Sequence, residues 1–327
     1  MKAFEYEKPG ADADAIRAGS APGARYIAGG TLLVDLLRLE VERPDVVVDL
    51  NGLSHAGLEV GADGLRIGAL VRNSDLAEHP EVVAFFPALS QALLSGASPQ
   101  IRNMATVGGN LLQRTRCSYF RDVAVAACNK RKPGSGCAAI GGYSRMHAVL
   151  GVSEQCIAAH PSDMCVALLA LDAVVHASGP RGERAIPVAD FHTLPGAHPE
   201  RETALEPGEI VTHVTLTKSQ LAIHSAYVKA RDRAAFAFAL ASAAVGLELD
   251  GNVVRKARVA LGGVGSKPWR CPEVEQALLG QPATPESFSA AAALAMRDAK
   301  TTNDNRFKVE LARRVIARAL SRAGGET

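Results

Sequence analysis

Apolar and polar positions alternate between helical and strand spacing along nearly the whole chain. Residues 11–20, containing DADAIRAG, predict a short helix. RYIAGGTLLVDLLRLEVERPDVVVDLNGL then predicts a short strand, a glycine turn, a helix and a buried strand, because VVV in DVVVDL is continuous rather than alternating. LEVGADGLRIGAL alternates on both sides of Asp63–Gly64, the pattern of a hairpin. NSDLAEHPEVVAFFPALSQALLSGAS predicts two helices broken at the prolines, with Asn73 or Ser74 as N-cap. After ATVGGNLLQ the periodicity disappears over residues 115–158, a stretch too long for an ordinary loop in a compact domain. It returns in SDMCVALLALDAVVHAS, a helix followed by a strand that turns at GPRG, and in the strand of EPGEIVTHVTL.

A second unit begins near residue 220. SAYVKARDRAAFAFALASAAVGLEL and NVVRKARVALGGV flank a hairpin turn at Asp250–Gly251. Two helices, over 286–299 and 306–322, close the chain, and Phe307, Leu311, Val315 and Leu320 form one apolar stripe on the second. Strands interleave with helices throughout, so the expected class is α+β. The expected domains are residues 1–219, in subdomains of about 1–55 and 56–219, and residues 220–327.

Bulk composition narrows the function classes. A chain of 327 residues suits two or three domains, and its 47% apolar and 21% charged content is that of a globular protein. A net charge of +2 without a lysine or arginine stripe gives no electrostatic footprint for nucleic acid. No run of 18 apolar residues exists to span a membrane. MKAFEYEKPGADADAIRAG has no apolar h-region, which predicts synthesis and folding in the cytoplasm, with periplasmic export of the folded protein on a partner's signal left open.

Four short motifs could carry chemistry. AGGT (residues 28–31) lies between a strand and a helix, where freed backbone N–H groups face an anion; a glycine turn with Thr31 as N-cap is the plainer reading. ATVGGN (residues 105–110) places Thr106, Gly108, Gly109 and Asn110 in a second such loop, and two of them suit a dinucleotide with two phosphates. Neither is the spaced GxGxxG fingerprint. HPSDM (residues 160–164) offers Ser162 and Asp163 as helix-capping residues or Asp163 as a ligand for sugar hydroxyls, with His160 structural. In YVKARDR, alternation puts Tyr227, Lys229 and Arg231 on one strand face, where a cation could balance charge on a reduced flavin or simply be solvated.

Five of the six cysteines, Cys117, Cys128, Cys137, Cys156 and Cys165, fall within 49 positions. Clustering of this kind in a reducing compartment points to metal or redox chemistry rather than disulfides. The intervals are x10, x8, x18 and x8, which match neither paired zinc-ribbon spacing nor ferredoxin runs, so spacing leaves a cluster, zinc and unligated thiols all open. Cys117, Cys128, Cys137 and Cys156 lie in aperiodic sequence, where thiolates can converge, and Lys130, Arg131 and Lys132 could offset their charge. Cys165 sits in an apolar helix and reads as core, and Cys271 is remote.

Taken in order, YIAGGTLL, IRNMATVGGNL, HPSDMCVALLALDA, EPGEIVTHV, YVKARDR and ALGGVGSKPWR resemble the FAD-binding subunit of the molybdenum hydroxylases, the xanthine dehydrogenase and aldehyde oxidoreductase family. The resemblance implies a two-subdomain flavin domain, a C-terminal α/β domain and FAD between them. It implies FAD contacts at Ala28, Gly29, Gly30, Thr31, Leu32, Thr106, Gly109, Asn110 and Asp163, with Lys229 and Tyr227 near the isoalloxazine. About 45 residues separate GGN from HPSDM, and this insert resembles the branch with an extra [4Fe–4S] cluster in the flavin subunit, closest to the periplasmic type of aldehyde oxidoreductase; Cys117, Cys128, Cys137 and Cys156 are then the ligands. The implied partners are a molybdenum-cofactor large subunit, which hydroxylates an aldehyde or N-heterocycle, and a [2Fe–2S] small subunit, which passes electrons to this chain and on to a terminal acceptor. The competing readings are a self-sufficient flavoprotein oxidoreductase and a zinc-stabilised assembly subunit without flavin. In DNRFKVELARRVIARAL the chain departs from the Tyr–Arg pair that relatives commonly carry there.

Overall fold

The computed structural model describes residues 1–325 and contains three sheets. The first is parallel, with β1 (Glu5–Glu7) and β2 (Ala24–Ile27) on either side of β3 (Val46–Asp49). Helices Asp12–Gly19 and Leu33–Arg38 supply the crossovers that parallel pairing requires. The central position of β3 buries Val47 and Val48, which explains its unbroken valine run.

The second sheet has five antiparallel strands in the order β4 (Leu58–Val60), β5 (Gly64–Gly68), β8 (Ile210–Thr217), β6 (Val174–Gly179), β7 (Gly182–Pro187). The stretch expected to form two helices makes three, Asn73–Glu78, Pro80–Phe85 and Pro87–Ser95. Each proline starts a helix, because the first helical position needs no N–H and tolerates the ring. The N-cap is Arg72, without a side-chain cap, and neither Asn73 nor Ser74.

The third sheet is antiparallel, in the order β12 (Trp269–Arg270), β11 (Val253–Gly262), β10 (Ala241–Asp250), β9 (Ser225–Ala230). Helices Pro272–Leu278, Pro285–Ala292 and Phe307–Ala323 pack with it in one core. The first of the two expected terminal helices is shorter than 286–299. The expected stripe on the second holds at Val315, Leu320 and the half-buried Leu311, but Phe307 is exposed, and the buried face also includes Lys308, Ala312, Ile316 and Ala319. Small residues let this helix approach β10, whose own first five residues, ASAAV, are small or β-branched and buried. A search for large apolar side chains overlooks such a face.

Helix Asp163–Ala170 is buried at all eight positions. It belongs to the core of the five-stranded sheet yet also packs on β10 and β11, which explains its apolar residues all round. Its N-terminus is thereby held at the junction of the two units. Residues 115–158 contain one short helix, Ser118–Arg121, and are otherwise turns tied by specific bonds. Ala148 N–H donates to Ile157 O at 2.9 Å, and Val149 N–H to Val264 O at 2.8 Å. Arg114 pairs with Glu42 and Glu202, and Lys130 Nζ lies 3.0 Å from Glu202 Oε1, anchoring the segment at its other side. Among the described residues no helix is long and apolar enough to cross a membrane.

Candidate functional site

The two glycine loops touch. A Cβ on Gly29 would lie 1.9 Å from Met104 O and 3.1 Å from Ala105 Cα, so only glycine permits this approach. Gly30 adopts φ +69°, in the left-handed region. The helix that follows has Leu32 as N-cap, so Thr31 is not its cap; Thr31 is exposed, as is Gly109, while Ala28, Gly29, Gly30 and Leu32 are half-buried. Thr106 and Asn110 also bond within the protein. Thr106 is 1% exposed and its Oγ1 accepts the Gly109 N–H at 3.2 Å, capping Val107–Leu111. Asn110 Oδ1 accepts the Ser162 hydroxyl at 2.7 Å, which joins this loop to HPSDM.

Ser162 caps the buried helix by accepting the Cys165 N–H at 3.1 Å. The next residue, Asp163, accepts hydrogen bonds from the Tyr227 hydroxyl and from Lys229 Nζ, the latter at 2.7 Å. Tyr227, Lys229 and Arg231 do share one face, and Lys229 and Arg231 both donate to Ser95 O. Burial and the neighbouring Asp163 carboxylate hold the Tyr227 hydroxyl well above its ordinary pKa. Lys229 is therefore a buried, neutralised cation, with its side chain 3% exposed. It reaches the adjacent cavity only through Asp163.

That cavity, of about 320 Å³, opens between the cysteine-bearing segment and the third sheet. Arg116, Tyr143 and His147 line one side, Ser242 and Gly263 the other, and Asp163 lies in its wall. Behind this wall, among the described residues, His147 Nδ1 and His160 Nε2 are buried without a hydrogen-bond partner. Arg116 stacks over the Phe238 ring at 5.1 Å, and burial lowers its pKa to about 10. Sequence reasoning missed Arg116, Ser242 and Gly263. Of this wall the sequence singles out Cys117 and HPSDM, with His160 read as structural.

Beside the cavity, the four expected cysteines approach one another. Cys128 and Cys137 face each other in an antiparallel bridge, Cys156 closes a tight turn with Ser153, and Cys117 precedes the helix Ser118–Arg121. Cys117 has its thiol pushed up to about 11 by burial first, with smaller opposing effects from the Tyr119 and Phe120 N–H groups; Cys128 and Cys156 lie near enough to add to the rise. His147 Nε2 lies 3.2 Å from Cys117 Sγ, and the Ala158 N–H donates to Cys156 Sγ at 3.5 Å. The basic residues divide their work differently from the expectation. Lys130 opposes the burial-driven rise at Cys156 but is paired with Glu202; Arg131 donates to the carbonyls of Tyr119 and Phe120; Lys132 is exposed.

A separate buried group brings His160, Cys165 and His192 within 4.8 Å. Two of its ring nitrogens are already engaged: His192 Nε2 donates to Leu111 O at 2.9 Å, and His160 Nδ1 accepts the Ser162 N–H. With Cys165 raised to about 12 by burial, this is a neutral packed cluster. Burial lowers His192 to about 4 and His160 well below its ordinary value. Histidines of the unfolded chain titrate near ~6.5, so this stability is fully present above that pH and is lost as pH falls toward the folded values. Denaturant unfolding at pH 7 and pH 4.5 should show a marked acid loss, with His192 contributing roughly 3 kcal/mol at about 1.36 kcal/mol per pH unit. His192→Gln, a neutral donor to Leu111 O, should flatten the fall; an equally steep fall in that variant refutes the assignment.

Comparison with known proteins places this geometry in a family. The FAD-binding domain of molybdopterin dehydrogenases matches residues 2–218, and the C-terminal domain of CO dehydrogenase flavoproteins matches residues 225–326. The aldehyde oxidoreductase FAD-binding subunit PaoB of Escherichia coli K12 is 52% identical over 326 residues, covering 99% of both chains. The crystal structure of quinoline 2-oxidoreductase from Pseudomonas putida 86 superposes with a TM-score of 0.76 at 25% identity, covering 99% of this chain and 98% of that one. Reconstituted CO dehydrogenase from Oligotropha carboxidovorans shares the fold, with a TM-score of 0.78 at 24% identity over the whole of both chains. With an α+β architecture and both domains matched in order, the chain belongs to the FAD-binding medium subunits of the molybdenum hydroxylases.

Proposed function

We propose that this chain is the FAD- and [4Fe–4S]-carrying electron-transfer subunit of a molybdenum-containing aldehyde oxidoreductase. The observation that carries the reading is the full-length similarity to an aldehyde oxidoreductase FAD-binding subunit. Its partners are a molybdenum-cofactor subunit that oxidises the substrate and a [2Fe–2S] subunit that passes electrons on.

The residues present fit FAD. The touching loops at Gly29 and Met104, with exposed Thr31 and Gly109, form the pyrophosphate cradle. The cavity is of ligand size, at the lower end of the usual ~300–1,000 Å³, and Ser242, His147 and His160 are among the polar residues of its wall. Bound FAD supplies the two-electron chemistry, and the protein orients it and sets its surroundings. Asp163 and Ser162 hold the polar wall, and Arg116 and Phe238 flank it.

The thiols also fit a cluster better than zinc. A tetrahedral zinc ion, with Zn–S near ~2.3 Å, holds its sulfurs only about 3.8 Å apart. Among the described residues no three of these thiols lie within 4.8 Å of one another. A four-iron cluster takes its four thiolates at the corners of a wider tetrahedron, and the N–H groups on Cys117 and Cys156 are of the kind that tune such clusters. The aldehyde class tests directly: the untagged protein should co-purify with a molybdenum subunit and show flavin bands, broad iron–sulfur absorption and aldehyde-dependent bleaching. Colourless, zinc-containing protein would overturn the flavin and cluster assignments together, and flavin without iron would overturn the cluster alone.

A further inference from the structure

The last helix carries a lysine into the core. Lys308 is 0% exposed, and its Nζ donates to Gly263 O at 2.7 Å. Among the described residues no carboxylate acts on it; the charge that does act is the positive one of Arg145, itself paired with Asp232. Lys308 also stands in the first turn of a 17-residue helix, where the positive end of the dipole disfavours a cation. Burial and Arg145 lower its amine to about 7. A buried cation whose acceptor is a neutral carbonyl is costly, so the protein alone leaves this charge uncompensated.

The missing counter-charge has a place. Gly263, the acceptor, lines the cavity, as does His147, which feels the Lys308 charge. The other charged groups there do not supply it. Arg116 is a second cation, partly exposed, and Asp163 is already neutralised by Lys229. Two electrons and one proton taken up by a flavin leave one negative charge on it.

We propose that Lys308, rather than Lys229, is the protein's electrostatic partner for the negative charge on reduced flavin, held behind the cavity wall by the carbonyl of Gly263, which lines it. This rests on the FAD reading above. Its charge is fully buried, so solvent screens it less than Arg116. Lys229, which the strand pattern favours for this part, is the cation of a closed ion pair.

The test uses the assembled complex, reduced anaerobically by dithionite with redox dyes, and reads the flavin absorbance, FAD content and iron content. Lys308→Gln keeps a donor for Gly263 O but removes the charge. It should retain FAD and iron while disfavouring flavin reduction about tenfold, a fall of about 30 mV for a two-electron couple. Lys308→Arg should restore the parent potential. Where glutamine disturbs packing, Lys308→Met reads the same shift. A neutral variant with full FAD and a parental potential overturns the proposal and leaves Lys308 as a structural donor; a parent complex without flavin overturns the FAD reading itself.

Discussion

Serine at Cys137 or Cys156 should remove most of the iron from the protein and leave its FAD in place. The thiol segment lies beside the cavity, but the glycine cradle at Gly29 and Met104 is built from different backbone. About four irons per chain are expected in the parent, and losing one thiolate opens a cluster to solvent. Cys128→Ser should do the same, since Cys128 and Cys137 oppose each other in one bridge. Cys117→Ser should add a loss of order around His147, 3.2 Å from its sulfur. Cys165→Ser and Cys271→Ser are the controls: both thiols are 0% exposed, Cys165 packed with His160 and His192 and Cys271 in an apolar core, so iron should stay. Iron and flavin analysis on the purified series decides the matter. Loss of iron in Cys165→Ser with retention in Cys156→Ser would show the ligand set to be wrong.

Asp163→Asn should be among the most damaging single substitutions in the chain. It removes the counter-charge of Lys229, whose side chain is 3% exposed, and weakens the acceptor of the Tyr227 hydroxyl. Breaking a buried pair by removing one partner costs ~3–5 kcal/mol, because the remaining charge stays desolvated. Here the pair joins the N-terminus of the buried helix to β9, so the loss falls on the junction between the two units. Lys229→Met should be damaging for the same reason with the opposite charge. The double variant Asp163→Asn/Lys229→Met should recover part of the stability, and the recovery is the coupling. FAD content separates the two roles of Asp163: the double variant should fold but bind flavin poorly, because the carboxylate in the cavity wall is gone. Additive losses in stability would show that the pair does not interact, and full flavin content would remove Asp163 from the site.

Much of this was legible in the residues themselves. The valine run of β3, the aperiodic stretch at 115–158 and the N-cap at Ser162 follow from local rules, and the structure has each of them. The prolines at 80 and 87 misled, since a proline marks a boundary without saying whether it ends one helix or starts the next. The roles within motifs were less legible still. In ATVGGN the side chains of Thr106 and Asn110 also complete a cap and a link to Ser162, which no local pattern shows.

The sequence by itself determined the α+β class, the two glycine loops, the clustered thiols and the family resemblance, because periodicity, glycine and cysteine act locally or by composition. Tertiary structure alone decided which cations are paired with carboxylates. Lys229 reads as an available charge on a strand face until the helix of Asp163 closes on it, and Lys308 reads as a surface lysine until its helix packs on β10 beside Gly263. Charge compensation is a property of neighbours brought together from distant segments, and no local pattern carries it.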